Sequence, residues 1–346
     1  MSGTVTWAAG AAACVLSASA AIPLKRLASR WGLTDRPGGH KSHARPTPYL
    51  GGMAILLGTV LITVAVTGLA DWRLTAILLA GSALAMLGLI DDIGALPAIT
   101  RLVVETVVTT AVVLAGIRLT VTGGWLDVPI TVIWIVVMTN SFNLLDNMDG
   151  SLGTVTTVTA AFLAAMALLQ ARPALGIFLV VLAGAALGFL VHNWPPARMF
   201  MGDSGSLFIG FVLACSAVVL VAGRGPDTMA GGLLLFTFVA TVDTGVVVLS
   251  RLRAGRPPLA GGTDHVSHRL RKLGLDTRLV AVTLGLVAAV SCALCMAMIV
   301  GWLPPLATAL AAGGTAIACV LLLQGVNVYP PHRSLEKPPR IRERRR

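Results

Sequence analysis

Apolar runs of about 20 residues recur from one end of this chain to the other, separated by short segments that hold nearly all of its charge. A helix of that length spans a hydrocarbon core about 30 Å thick. Lipid offers the backbone no water to bond, so only helices and closed barrels can cross it. We place eleven spans, near residues 4–24, 50–70, 72–90, 102–119, 128–143, 152–170, 174–194, 206–222, 229–249, 279–301 and 305–325. The fifth is short and runs into the polar string Asn143-Leu144-Leu145-Asp146. With 56% hydrophobic and 12% charged residues, the 346-residue chain leaves no stretch for a soluble domain. The expectation is an all-α polytopic membrane protein: one transmembrane bundle over residues 1–325, then a basic tail, 326–346.

Lys and Arg accumulate in loops that stay on the cytoplasmic side of a membrane. Alternating eleven spans with the N-terminus outside puts all but four of the 26 cations on one side, in residues 25–49, at Arg101 and Arg198, in residues 250–278 and in the tail. Only Arg73, Arg118, Arg172 and Arg224 fall opposite. The basic side therefore reads as the cytoplasm, and the net charge of +11 needs no nucleic-acid partner. The Arg-rich stretch 340–346 is placed against anionic membrane lipids. Ser17, Ala18 and Ala20 resemble a signal-peptide cleavage site, but Lys25, Arg26 and Arg30 follow the first run and no cation precedes it, so it reads as a retained span. The five cysteines all fall inside spans, where a thiol packs as a small hydrophobe, and neither a disulfide nor a zinc site is expected.

Five of the fifteen acids, Asp91, Asp92, Asp146, Asp149 and Asp203, sit at cytoplasmic ends of spans. Asp91 and Asp92 close the third span, at a helix C-terminus where the macrodipole opposes each anion by roughly 0.3 to 1 kcal/mol. Paired carboxylates in so unfavourable a place suit holding Mg²⁺ or acting as a base. From Asn140 to Gly150 a polar residue recurs at every third position, so a helix there would carry Asn140, Asn143, Asp146 and Asp149 on one broad face, with no cation nearby in sequence. Phe200-Met201-Gly202-Asp203-Ser204-Gly205-Ser206 opens the eighth span. There Asp203 reads as a helix cap, as a metal ligand, or as both.

Two loops supply complementary groups on the same side. Residues 34–52 bring Lys41, His43 and Arg45, with Gly and Pro setting a turn, and residues 261–272 bring His265, His268 and Arg269. Cationic loops facing five carboxylates point to a polyanionic substrate held through Mg²⁺, or Mn²⁺ in its place, as in phosphoryl transfer. Asp243 lies inside the ninth span, where an ionised group costs at least about 2.5 to 3.5 kcal/mol, so a buried partner and a structural role are expected of it.

These residues carry a resemblance that extends from the first span to the last. The Pro-Thr-Pro-x-x-Gly-Gly loop at 46–52, the Asp91-Asp92 pair, the Asn140 to Gly150 string, Phe-Met-Gly-Asp-x-Gly-Ser at 200–206 and the loop from Asp264 to Leu270 resemble the polyprenyl-phosphate N-acetylhexosamine-1-phosphate transferases. Among these the chain is most similar to the bacterial enzymes that use UDP-GlcNAc. The resemblance implies transfer of a sugar 1-phosphate from a UDP-N-acetylhexosamine to a polyprenyl phosphate, on the cytoplasmic face of a bacterial inner membrane, with the loops 25–49, 91–101, 143–151, 194–206 and 250–278 forming the site. It implies that Asp203 and Asn143 bind Mg²⁺, and that Asp91 and Asp92 attend the prenyl phosphate with Asp91 as base. It further implies that Asp146 and Asp149 shape the nucleotide-sugar side and that Asn193 and Phe200 contact uracil. Lys41, His43, Asn140, His265, His268 and Arg269 are then substrate contacts. The oligomeric state stays open, a homodimer included. Two alternatives remain: a phospho-MurNAc-pentapeptide transferase, whose late loop carries adjacent histidines in place of the separated His265 and His268, and a secondary transporter, which Asp243 fits better than the other acids do.

Overall fold

The computed structural model describes residues 3–35, 47–257 and 261–328. In chain order its helices are α1 (Gly3–Trp31), α2 (Gly51–Thr67), α3 (Trp72–Gly94), α4 (Ala98–Leu114), α5 (Asp127–Leu145), α6 (Ser151–Leu169) and α7 (Pro173–Asn193), then α8 (Asp203–Val221), α9 (Pro226–Phe236), α10 (Phe238–Arg253), α11 (Val266–Lys272), α12 (Thr277–Val300) and α13 (Pro305–Leu323). Two short strands, β1 (Thr34–Asp35) and β2 (Thr47–Pro48), pair antiparallel between α1 and α2. The chain is an all-α polytopic membrane protein. Eight of the described helices are long and apolar enough to cross a membrane, and the pair α9 and α10 makes a ninth if counted as one span. At 17 residues, α2 and α4 reach only about 25 Å, and α4 also carries Arg101 and Glu105.

At the centre stands α8, predominantly apolar and buried from Ser204 to Val221, with α2, α3, α5, α6 and α9 packed about it. In lipid the driving force between helices is close packing, which small residues permit. The packing of α1 on α7 shows this: a Cβ on Gly184 would stand 2.1 Å from the Gly10 carbonyl oxygen, and one on Gly188 2.1 Å from that of Cys14. At the outside, α13 keeps most of its apolar surface exposed. Trp7, Trp72, Trp125 and Trp302 are each more than half exposed at helix ends, where indoles mark a membrane interface.

Two local expectations are corrected. The apolar run 229–249, expected as one helix, breaks at Thr237 with a bend of 76° between α9 and α10. Both the N–H and the hydroxyl of Thr237 donate to the Leu233 carbonyl, a back-bonding that bends helices. Nor does the helix of α5 carry its polar face through Asp149. It ends at Leu145, where Asn147 Nδ2 turns back to the Leu144 carbonyl at 2.7 Å and Gly150 takes φ +75°, so Asp146 and Asp149 lie on a tight turn.

Candidate active site

Four helix ends meet at one pole of the bundle. The C-terminal turns of α3 and α5 converge there with the N-terminal turns of α4 and α8, because each of these helices spans the bundle and its neighbours run antiparallel. The approach is close enough to require glycine: a Cβ on Gly88 of α3 would lie 2.3 Å from the Asp203 carbonyl oxygen, and one on Gly52 of α2 2.1 Å from the Gly205 nitrogen. Gly51 and Gly52 also donate their N–H groups to the carbonyls of Phe200 and Met201, at 3.0 and 2.8 Å. The Pro-Thr-Pro-x-x-Gly-Gly segment thus clamps the strand leading into Asp203. The Phe200 N–H closes the clamp by donating to Pro48 O at 2.9 Å.

Asp203 is the hub. Its Oδ1 accepts from Asn143 Nδ2 at 2.9 Å and its Oδ2 from Arg101 Nη1 at 2.9 Å, and the same Nη1 donates to Asp91 Oδ2 at 2.9 Å. Asn143 Nδ2 also donates to Ser206 Oγ at 2.8 Å. The two neighbouring aspartates divide their work. Asp92 accepts from the backbone N–H groups of Asp203 and Ser204, at 2.8 and 3.2 Å, and so caps α8 from another helix. Asp91 accepts from Leu96 N–H at 2.6 Å and faces Arg101.

The turn after α5 adds two carboxylates. Asp149 accepts from Ala197 N–H at 2.9 Å, which joins this turn to the loop before α8. Asn193 strengthens the join by accepting from Gly150 N–H at 2.9 Å and donating to Met199 O at 3.0 Å. Asp146 is half-buried; its N–H donates to Asn143 O at 3.1 Å, and its carboxylate has no hydrogen-bond partner among the described residues. Burial, together with the negative charges of Asp203, Asp92 and Asp149, pushes its carboxyl up to about 8.

Beside this cluster, α11 touches the turn through Ser267, whose hydroxyl donates to Asn147 Oδ1. His268 is half-buried next to Ser267, and burial, aided by His265, lowers it to about 4, so it is neutral near pH 7. Its two loop companions are engaged elsewhere. His265 Nδ1 bonds Asp243 Oδ2 at 2.8 Å, and the other Asp243 oxygen accepts from Val266 N–H at 2.7 Å, which supplies the buried partner expected of Asp243. The Arg269 guanidinium is buried against Asp264 O, Ser250 Oγ, Leu323 O and Val326 O, and Arg251 grips the Asp264 carboxylate with two nitrogens, at 2.8 and 3.0 Å. Asn140 donates to Glu105, one turn below the cluster. Lys41 and His43 lie outside the described residues, in the segment that β1 and β2 bracket.

The structure therefore gathers Asp91, Asp92, Asn143, Asp146, Asp149 and Asp203 and leaves Asn193, His265 and Arg269 in connecting roles around them. Reading along the sequence missed Arg101. No cation is near the Asn140 to Gly150 string in the chain, yet Arg101 neutralises Asp91 and Asp203 in space. Its signal was Glu105 four residues later, an acid on a short apolar helix that needs a cation beside it.

Among the described residues no three carboxylates, histidines or cysteines form a ready metal cage. Mg²⁺ is commonly held by one or two carboxylates together with substrate phosphates. The hard oxygens of Asp203, Asn143 and the unpartnered Asp146 fit that kind of site.

The family model of glycosyl transferase family 4 matches residues 74–221, which run from α3 through α8 and contain every carboxylate of the cluster. A protein of Streptomyces coelicolor described as a glycosyltransferase is 39% identical over 334 residues, covering 93% of this chain and 77% of its own. Decaprenyl-phosphate N-acetylglucosaminephosphotransferase of Mycobacterium tuberculosis is 31% identical over 315 residues, 79% of this chain and 77% of its own. A phospho-N-acetylmuramoyl-pentapeptide-transferase of Acetivibrio thermocellus matches less, 29% over 216 residues, covering 55% and 65%. Shared sequence that reaches across nearly the whole bundle, with the family model centred on its carboxylate pole, makes this chain a member of glycosyl transferase family 4.

Proposed function

We propose that the chain transfers GlcNAc-1-phosphate from UDP-GlcNAc to a polyprenyl phosphate, giving polyprenyl-diphosphate-GlcNAc and UMP, the first membrane step of a cell-envelope polysaccharide or wall linkage unit. The observation that carries this reading is the convergence of five aspartates and Asn143 at one pole of a membrane bundle, at the depth where a lipid phosphate and a soluble nucleotide can meet. The relatives named for N-acetylglucosamine-phosphate transfer support the same substrates. In this reading the eleven-span topology holds, and the cationic side, with the carboxylates, faces the cytoplasm of a bacterial plasma membrane.

A prenyl phosphate oxygen attacks the β-phosphorus of UDP-GlcNAc, the bond from that phosphorus to the bridging oxygen breaks, and UMP leaves with the electron pair. Asp203 and Asn143 would hold Mg²⁺, with Asp146 next to them; the ion supplies neutralisation of the diphosphate charge. Asp91 is the base in this reading: its Oδ1 accepts from Leu96 N–H and its Oδ2 from Arg101, a side chain whose movement to the substrate frees that oxygen, whereas both oxygens of Asp92 are bound to backbone N–H groups of α8. Arg101 balances the charge of Asp91 and Asp203 and can turn toward a phosphate when substrate enters. Phe200 offers a ring for uracil, and neutral His268 a hydrogen bond rather than a charge.

The test is UMP release by detergent-purified protein with a polyprenyl phosphate, in Mg²⁺ or in EDTA, from UDP-GlcNAc or from UDP-MurNAc-pentapeptide. Metal-dependent UMP from UDP-GlcNAc alone is expected. Release only from the pentapeptide substrate would assign the chain the other transferase reaction, and no release from either by folded protein would sink the reading.

A further inference from the structure

The four cations set apart from the rest in the sequence are also gathered in space. Arg73 opens α3, Arg118 follows α4, Arg172 precedes α7 and Arg224 follows α8, so all four stand at the pole opposite the carboxylates. Arg73, Arg118 and Arg172 line one cavity of about 520 Å³, walled also by Leu114, Thr120 and Gly223. A second cavity, of about 330 Å³, shares Arg73 and Arg172. Arg224 stands near enough for its charge to act on Arg172.

None of the four guanidinium groups has an ion pair or side-chain hydrogen bond among the described residues. Asp71, the one acid that lines the second cavity, caps α3 through Oδ1, which accepts from the N–H groups of Arg73 and Leu74 at 3.0 and 3.2 Å; its single charge acts on Arg172 and offsets only part of that of the four cations. Cations from four separate segments repel one another and would spread over a bland surface. Held together, they create a positive potential that an anion relieves. The cavity wall is also built rather than loose. Asp127 accepts from the N–H groups of Val121, Thr122 and Gly123, Thr131 Oγ1 accepts from Leu119 N–H, and Thr120 Oγ1 accepts from Gly223 N–H, which fixes the segment that presents Arg118.

The groups at the rim of the cavity point to the source of the anion. The indole of Trp72, with Arg73 over its ring at 5.4 Å, marks the interface, and Leu114 is 69% exposed along the rim, an apolar exit that suits an acyl chain and that a free ion does not need. We propose that this cavity binds the phosphate-bearing headgroup of an anionic lipid, in the leaflet opposite the carboxylate pole. This goes beyond the transferase reading and does not depend on it.

The experiment titrates the detergent-purified full chain with short-chain phosphatidylglycerol, with phosphatidylcholine of the same chain length, and with inorganic phosphate, and reads the thermal midpoint. A ligand that binds only the folded state raises that midpoint saturably. Phosphatidylglycerol should do so, and neither phosphatidylcholine nor phosphate should. The double variant Arg73→Gln, Arg118→Gln changes two exposed positions and should lose at least half of the shift. Arg118→Gln alone should lose a smaller part of it. Arg26→Gln, Arg30→Gln removes the same charge at the other pole and should keep the whole shift. An unchanged shift in the double variant, an equal loss in the Arg26, Arg30 control, or an equal response to inorganic phosphate would each overturn the assignment.

Discussion

Two charged regions lie side by side at the carboxylate pole, and they differ in how completely the protein satisfies them. In the block formed by α10, α11 and the end of α13, each charged group that is buried has a protein partner. Arg251 and Asp264 form a two-nitrogen ion pair, Asp243 takes His265 and a backbone N–H, and Arg269 is ringed by carbonyls and a hydroxyl. Around Asp203 the accounting stays open. The Asp146 carboxylate has no partner among the described residues, and one Arg101 nitrogen serves two carboxylates at once. Buried charges cost heavily unless paired, so an internally saturated cluster holds structure, whereas one with residual negative charge is arranged to receive something cationic. Both regions look alike as motifs. Only their partners separate scaffold from site.

The largest effect should come from the open cluster. Asp203→Asn keeps the shape and the cap of α8 but removes the central charge, and turnover in the UMP assay should fall by about three orders of magnitude or more, with the thermal midpoint nearly unchanged. A fall in stability with normal turnover would make Asp203 a scaffold residue and erase the contrast. The saturated block should answer in the opposite way. Arg251→Ala removes the two-nitrogen partner of the buried Asp264 carboxylate, a loss of up to about 3 to 5 kcal/mol of stability, while activity per folded molecule stays within a few-fold. The pair of substitutions Arg251→Met and Asp264→Leu should recover most of that stability.

Smaller effects sharpen the boundary between the two. Phe200→Leu should raise the KM for UDP-GlcNAc about tenfold, a stacking contribution of roughly 1 to 1.5 kcal/mol, with little change in kcat. An effect on kcat alone would place Phe200 with the clamp rather than the nucleotide. His268 sits between the regions and tests the pH axis. Its folded value of about 4 lies below the ordinary 6.5, so between these values the unfolded chain binds the more protons. The stability it contributes is then present above about pH 6.5 and is lost as pH falls toward 4. His268→Gln should flatten that part of the stability profile, and an unaltered slope would show that His268 is solvated.

The membrane bundle was legible from the chain because twenty-residue apolar runs have one outcome in lipid, and the aspartates were legible because anions at helix ends in a membrane are too costly to be incidental. The bend at Thr237 was not. Its cause is a hydroxyl bonding back to Leu233, which looks in sequence like any threonine in an apolar run. The division between Asp91 and Asp92 was also hidden, since adjacent residues on a helix point about 100° apart and only the position of α8 decides which one caps it.

By itself, then, the sequence determined that the chain is helical, that it lies in a membrane, and which polar residues stand at the ends of its spans. Periodicity, length and charge act locally and need no partner to be read. Tertiary structure alone decided that Arg101 neutralises Asp91 and Asp203, that Arg269 and His265 belong to the framework, and that three arginines from separate segments share a cavity with a fourth close by. Each of these depends on groups far apart in the chain, and electrostatic energy follows distance in space, not separation in sequence.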